Sequence, residues 1–136
     1  MTLEHRRMHR AFTTVEEAVA AAQFKAWKTA VMSFGSEVQR CGLLQAVAFL
    51  HRGQDKDVKA VAVRLTTCIR DHLIKVRILV PDEPESPLLT ILRGVSTDEY
   101  MMATREVLAL SLWLRRATQA QAALEAPDDH HPADVN

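Results

Sequence analysis

The stretch Gly42-Leu-Leu-Gln-Ala-Val-Ala-Phe-Leu50 is apolar on nearly every side of a helix, and it decides the kind of fold. It lies within the longest run without a charged side chain, Cys41 to His51, which is far shorter than the roughly 20 residues that cross a bilayer. A short helix without a polar face has to be covered by other elements. The segment Glu37 to His51 is therefore predicted to be a helix that ends before Gly53, with its second half buried at the centre of the fold.

Apolar residues on either side of this helix recur every three or four positions, which is the spacing of one helix face. The first such face runs from Met8 through Phe12 to Ala26 and predicts a single helix. Gly35 is predicted to break the chain between this helix and the next one. A second face runs from Val58 to Val80, and a third runs from Tyr100 to Ala117. The predicted core combines residues from the later segments: Leu43, Val47, Leu50, Leu65, Ile69, Leu73, Val107, Leu110 and Leu114.

The prolines and the chain length complete the predicted architecture. All five prolines fall within 81–87 and 127–132, so the first cluster is read as a loop before a short helix from Pro87 to Arg93. A chain of 136 residues with 48% hydrophobic residues can form one core. The prediction is an all-α fold, a compact bundle of about five helices with no sheet. The bundle domain is expected to span residues 1–125, and residues 126–136 form an acidic, disordered tail.

The charges are balanced in total but not along the chain. Lys+Arg and Asp+Glu both number 17, yet residues 1–80 hold 13 basic and 7 acidic side chains, and residues 81–136 hold 4 and 10. This asymmetry predicts a basic surface on a neutral protein. No apolar segment follows the first residues and the two cysteines form no CxxC pair, which favours a cytoplasmic protein with no contact to membranes.

The histidines and cysteines do not assemble a catalytic set. His5 and His9 have a spacing that can chelate a metal ion, but the sequence offers no obvious third ligand. His72 could accept a phosphoryl group, although its place beside an apolar helix face favours a buried core histidine. Cys41 and Cys68 fall on faces that we expect to be buried. No HExxH, GxGxxG, P-loop or Glu-x-x-His pattern occurs, so neither an enzyme nor a cofactor or metal is predicted.

Basic residues form two stripes that suit a phosphate backbone. If the first segment is one helix, five cations share an arc opposite its apolar face: Arg6, Arg7, Arg10, Lys25 and Lys28. On the third helix, Lys59, Arg70 and Arg77 form a stripe about 27 Å long at 1.5 Å per residue. Lysine and arginine in such stripes bind nucleic acid without reading its sequence. The alternative is an ordinary solvated helix face.

The last helix carries a second, weaker apolar stripe. Met101, Leu108 and Leu112 form this stripe, and Arg105 and Arg116 flank it. A helix that is apolar on two faces is either deeply buried or contacts a second partner. We predict that the stripe is a subunit interface and that the two arginines are further candidates for nucleic-acid binding.

Two segments resemble the small subunit of the type III-B CRISPR (Cmr) effector complex. The stretch from Gly42 to Leu50, closed by Gly53, resembles the central helix of that family. The run from Tyr100 to Ala117, with its Ala-Thr-Arg-Glu and Trp-Leu-Arg-Arg motifs, resembles the closing helix, and Arg10-Ala11 matches an Arg-Ala near the N-terminus of the family. Three features depart from the family: Cys41, where it often has Asn, Gly35 with its neighbours, where it often has Pro, and the extended acidic tail, which is not part of its pattern.

The resemblance implies a non-catalytic structural subunit for antiviral defence that stacks in several copies as an inner filament. Its implied partners are the other subunits of the complex, further copies of itself, guide RNA and target RNA. The predicted RNA-binding residues are Arg10, Lys25, Lys28, Lys59, Arg70, Arg77, Arg105 and Arg116. Two alternatives remain at this point: a helical adaptor bundle that does not bind RNA, and a phosphotransfer bundle built on His72.

Overall fold

The computed structural model describes residues 1–125, which form six α-helices and no strand. The helices are α1 (Leu3–Ala20), α2 (Phe24–Cys41), α3 (Leu43–Leu50), α4 (Lys56–Lys75), α5 (Leu88–Gly94) and α6 (Thr97–Glu125). The all-α prediction is confirmed, with six helices in this range where about five were expected. The predicted tail at 126–136 lies outside the described residues. None of the helices described is long and apolar enough to cross a membrane.

The first predicted helix is two helices, and the prediction of one continuous helix was wrong. Ala22 has a φ of 58°, and the N–H groups of Ala22 and Gln23 bond back to α1, which ends the helix in a Schellman motif. On a straight helix, the buried Trp27 of α2 would point about 180° away from the buried Ala18 of α1. The break rotates α2 so that both helices face one core. This gain outweighs the roughly 1–2 kcal/mol cost of a left-handed alanine.

Gly35 does not break the chain as predicted, because it lies inside α2. A Cβ at this position would come 3.0 Å from the Oγ of Ser111, so the glycine allows α2 to approach α6 closely. The break comes instead at Gly42, which has a φ of 90° and separates α2 from α3. The hydroxyl of Tyr100 accepts a 2.9 Å hydrogen bond from the N–H of Leu44 and satisfies a free donor at the start of α3.

One core joins all six helices, and most of the predicted core residues lie in it. Every predicted core residue is buried except Leu50, which is half-buried and packs against the core. Trp27 was not predicted, yet it is fully buried, and its Nε1 donates a 3.0 Å hydrogen bond to Thr118. Three large side chains of the predicted apolar faces are exposed instead: Phe12, Val58 and Val80.

Candidate nucleic-acid interface

A groove of about 880 Å³ runs between α1 and α4, and basic side chains from both helices line it. Its charged lining residues are Arg6, Arg10, Glu17, Arg64, Asp71 and Lys75. Four cations against two anions leave an excess of two positive charges in the groove. The groove is therefore suited to an anionic ligand.

Some of these charges already have partners within the protein. Arg64 lies 3.6 Å from the carboxylate of Glu17, and its Nε donates a 3.2 Å hydrogen bond to Gln23. Asp71 accepts a 2.8 Å hydrogen bond from Arg70. Within residues 1–125, three cations of the groove form no ion pair: Arg6, Arg10 and Lys75. These three side chains are the ones available to a ligand.

The floor of the groove is uncharged. Thr14 donates a 2.7 Å hydrogen bond to the carbonyl of Arg10, and its Oγ1 lies 3.3 Å from the Sγ of Cys68. Burial raises the pKa of the Cys68 thiol to about 11, so the side chain stays neutral near pH 7. The prediction that both cysteines are buried holds for Cys68 and was wrong for Cys41, which is exposed at the end of α2.

A buried polar cluster beneath the groove joins α1, α4 and α6. Arg7 donates to both carboxylate oxygens of Glu106, at 2.7 Å from Nε and 2.8 Å from Nη2. The Nε2 of His72 lies 2.8 Å from the same carboxylate. Burial acts to raise the pKa of Glu106, but the hydrogen bonds from Arg7 and His72 outweigh it and hold that pKa below its usual value. Arg7 was predicted on the basic arc, but its partly buried guanidinium is bound by Glu106 instead.

His72 and His5 occupy structural positions. His72 is only 1% exposed, which confirms the predicted core histidine and makes its imidazole inaccessible for phosphoryl transfer. Burial lowers its pKa, although the hydrogen bond with Glu106 acts in the opposite direction. His5 is hydrogen-bonded to Thr2 at 3.1 Å, and no three metal-ligating side chains come together in the part of the chain that the structure describes.

The predicted stripe on α4 does not form as one line. The guanidinium of Arg70 donates to the carbonyl oxygens of Ser86, at 2.6 Å, and of Pro84, so it holds the 81–87 loop. Arg77 lies beyond the end of α4 with a φ of 67°, where it closes a second Schellman motif, and its side chain is exposed. Lys59 is exposed on the same side of α4 as Arg70. This side lies about 140° around the helix from the side on which Arg64 and Lys75 line the groove.

The break at Ala22 also separates the cations that were predicted to share one arc. Arg10 lies on α1 in the groove, whereas Lys25 and Lys28 are exposed on α2. Lys25 borders a second, smaller groove of about 420 Å³ between α2, the end of α3 and the start of α4. Asp55 and Asp57 line this second groove as well, so it has no excess of positive charge.

The second apolar stripe on α6 is partly exposed. Met101 and Leu112 are each 48% exposed, whereas Leu108 is half-buried and packs against the core. Arg105 is exposed beside them, and the guanidinium of Arg116 stacks over the ring of Trp113 at 4.9 Å. Met101, Arg105, Leu112 and Arg116 lie on the side of α6 that faces away from its buried face.

The sequence reasoning missed two cations of the groove, Arg64 and Lys75. They are 11 residues apart, which places them within about 20° of each other on the helix. That spacing was visible in the sequence. What the sequence did not show is that this edge of α4 faces α1, since that depends on how the two helices pack.

Comparisons with known proteins agree on one family. A family model described as CRISPR-associated protein (Cas_Cmr5) matches residues 3–121. The crystal structure of a CRISPR-associated Cmr5 family protein from Thermus thermophilus is similar in fold, with a TM-score of 0.68. That similarity covers 88% of this chain and 96% of the other at 24% sequence identity. No curated protein sequence matches the chain.

Proposed function

The chain belongs to the Cmr5 family, the small subunits of the type III-B CRISPR (Cmr) complex, and we propose that it contacts the RNA backbone and stacks with copies of itself. Its role in this proposal is structural and non-catalytic, in the cytoplasm. Family membership implies assembly with the other Cmr subunits. Guide RNA, target RNA and further copies of this chain are the proposed additional partners.

The observation that carries the RNA proposal is the α1–α4 groove, with its three cations that form no ion pair with any other residue in 1–125. Arginine presents a planar fork of donors that matches phosphate oxygens, and lysine adds a point charge. Arg10 and Lys75 lie on opposite walls, so a strand in the groove would meet cations from both helices. Contacts of this kind bind the backbone and carry no sequence information. A subunit with these contacts can serve guides of any sequence.

The remaining candidate residues serve as secondary contacts in this proposal. Lys25, Lys28, Lys59 and Arg77 are exposed on other surfaces of the bundle, where they would meet RNA outside the groove. Arg70 acts indirectly, since its guanidinium is engaged by the 81–87 loop.

The stacking proposal rests on the α6 stripe. Met101 and Leu112 expose large apolar side chains on one side of the longest helix, and Arg105 and Arg116 border them. Covering such side chains stabilises a contact by roughly 25 cal/mol per Å² of apolar area removed from water. We propose that a second copy or a neighbouring Cmr subunit covers this stripe, with the two arginines next to the contact.

Removal of two groove cations tests the RNA proposal. The double variant Arg10→Ala with Lys75→Ala is compared with Lys56→Ala with Arg93→Ala, which removes two exposed cations outside the groove. We measure capture of single-stranded RNA by the assembled complex across a salt series. Loss of two phosphate contacts makes the negative slope of log K against log salt shallower by about 1.4 for each copy of the subunit that contacts the RNA, since each contact contributes about 0.7.

The groove variant is expected to lose affinity equally for unrelated RNA sequences, whereas the control keeps the affinity and the slope of the wild type. An unchanged slope in the groove variant, with the same affinity as the wild type, would refute an RNA role for the groove. The chain would then fit the alternative of a protein-interaction bundle.

A further inference from the structure

We propose that the acidic C-terminal segment, residues 126–136, docks in the α1–α4 groove of its own chain and competes there with RNA. The segment contains Asp128, Asp129 and Asp134 and no lysine or arginine. The groove has an excess of positive charge and three cations that form no ion pair within the described part of the chain, residues 1–125. The proposed docking depends on this complementarity of charge between segment and groove. Only the competition with RNA rests on the proposed function, the contact with the RNA backbone.

The end of α6 directs the segment toward the groove. Trp27 is hydrogen-bonded to Thr118, and Gly35 lies against Ser111, so α2 and α6 run antiparallel. Beyond Thr118, α6 therefore continues toward the start of α2. Gln23, the residue before that start, lines one end of the groove. The segment thus leaves α6 near the groove.

The length of the segment suffices to follow the groove. Glu125 lies seven residues beyond Thr118, about 10 Å along α6. The nine residues from Glu125 to Asp134 span up to about 30 Å when extended. The groove wall from Arg64 to Lys75 is about 16 Å long. Asp128 and Asp129 can therefore reach the Gln23 end of the groove, and Asp134 can reach its far end near Lys75.

The charges that line the two grooves favour the α1–α4 groove as the docking site of the acidic segment. The α1–α4 groove has four cations and two anions in its lining, whereas the groove beside Lys25 contains Asp55 and Asp57, which repel an acidic segment. A tethered segment experiences an effective concentration in the millimolar range, so even a weak electrostatic contact is occupied. Because charge carries the contact, salt screens it, and RNA with its many phosphates can displace it.

A zero-length carbodiimide cross-link tests the docking without RNA. This reagent joins a lysine amine to a carboxylate in contact with it, and Lys75 is the one lysine among the lining residues of the groove. In the full chain at low salt, mass spectrometry is expected to find Lys75 joined to the tail aspartates, with a yield that falls severalfold in 0.5 M salt. Equal yields at Lys25, Lys28 and Lys59, or no cross-links from the tail, would overturn the docking. Cross-links that occur only between two chains would overturn docking within one chain.

A matched pair of triple variants tests the competition. In the full chain, Asp128→Asn, Asp129→Asn and Asp134→Asn neutralise the tail. The control, Asp82→Asn, Glu83→Gln and Glu85→Gln, neutralises three carboxylates in the 81–87 loop. Both variants change the net charge by the same amount. The tail variant is expected to bind single-stranded RNA about two- to tenfold more tightly at low salt, and the difference disappears in 0.5 M salt.

Equal tightening in both variants would show a general charge effect and would overturn the competition. Absence of RNA binding in the wild type and in every variant would contradict the proposed function, and the cross-link at Lys75 would then still decide the docking. The two failures can therefore be told apart.

Discussion

Arg7 and Glu106 are 99 positions apart in the sequence, and their side chains form a two-point ion pair inside the helical bundle. Glu106 is only 5% exposed, and its carboxylate is also hydrogen-bonded to the Nε2 of His72. One carboxylate on α6 is therefore bound by side chains from α1 and α4. A buried charge of this kind is stable only while its partners remain in place. The pair therefore makes the packing of three helices depend on a few polar atoms directly below the basic groove.

Neutralising Glu106 tests this dependence. Glu106→Gln leaves the partly buried guanidinium of Arg7 with only the exposed carboxylate of Glu4 as a counter-charge, and we expect the free energy of unfolding to fall by about 2 kcal/mol. Urea denaturation measures the change. The control is Glu16→Gln on the exposed side of α1, which should change stability by less than about 0.5 kcal/mol. Equal stability in both variants would mean that the ion pair does not hold the bundle together.

The same cluster predicts how stability depends on pH. Burial lowers the pKa of His72 below its usual 6.5, and the hydrogen bonds from Arg7 and His72 hold the pKa of Glu106 below its usual 4.5. In both cases the unfolded chain binds a proton at a higher pH than the folded chain does. Stability is therefore fully present above about pH 6.5 and falls as the pH is lowered, first through His72 and then, below about pH 4.5, through Glu106.

Urea denaturation from pH 7.5 to 4.5 measures this dependence. His72→Gln should flatten the fall between pH 6.5 and 5, because the titrating group is gone. His51→Gln, which changes an exposed histidine, should retain the fall of the wild type. A wild-type protein that becomes more stable on acidification through this range would contradict the assignment.

Arg70 and Arg77 are expected to differ in their effect on stability, although both were predicted on one basic stripe. Arg70 donates to two carbonyl oxygens of the 81–87 loop, and its removal leaves those acceptors without their partner. Arg70→Ala should cost about 1–3 kcal/mol. Arg77→Lys changes an exposed side chain and keeps its charge, so it should cost less than about 0.5 kcal/mol. Thermal denaturation compares them, and identical melting temperatures would refute a structural role for Arg70.

The proposed stacking contact gives a prediction for Leu112. Leu112→Glu places a charge on the exposed apolar stripe of α6, so it should prevent stacking and incorporation into the complex while the monomer keeps its melting temperature. Analytical ultracentrifugation and reconstitution with the other subunits measure this. Gln39→Glu, at an exposed position of α2, is the control. Loss of helical circular dichroism in Leu112→Glu would assign the stripe to the core instead.

The helical class and most core positions could be predicted because they depend on local spacing. Apolar residues at every third or fourth position mark one face of a helix whatever surrounds it, which is why Leu65, Ile69 and Leu73 were assigned to the core correctly. The break at Ala22 could not be predicted. No glycine or proline lies beside it, and its cause is that the buried faces of α1 and α2 would otherwise point in opposite directions.

The candidate site shows the same division between local and tertiary information. Composition and periodicity belong to each segment alone, and they were enough to predict an all-helical chain, a basic first part and an acidic end. Which cations line one groove depends on how the helices pack. Arg7 pairs with the buried Glu106, Arg70 holds a loop, and Arg10 and Lys75 line opposite walls. The reason is physical: a charged side chain takes its role from the partners that folding brings within hydrogen-bonding distance, and those partners lie far away in the sequence.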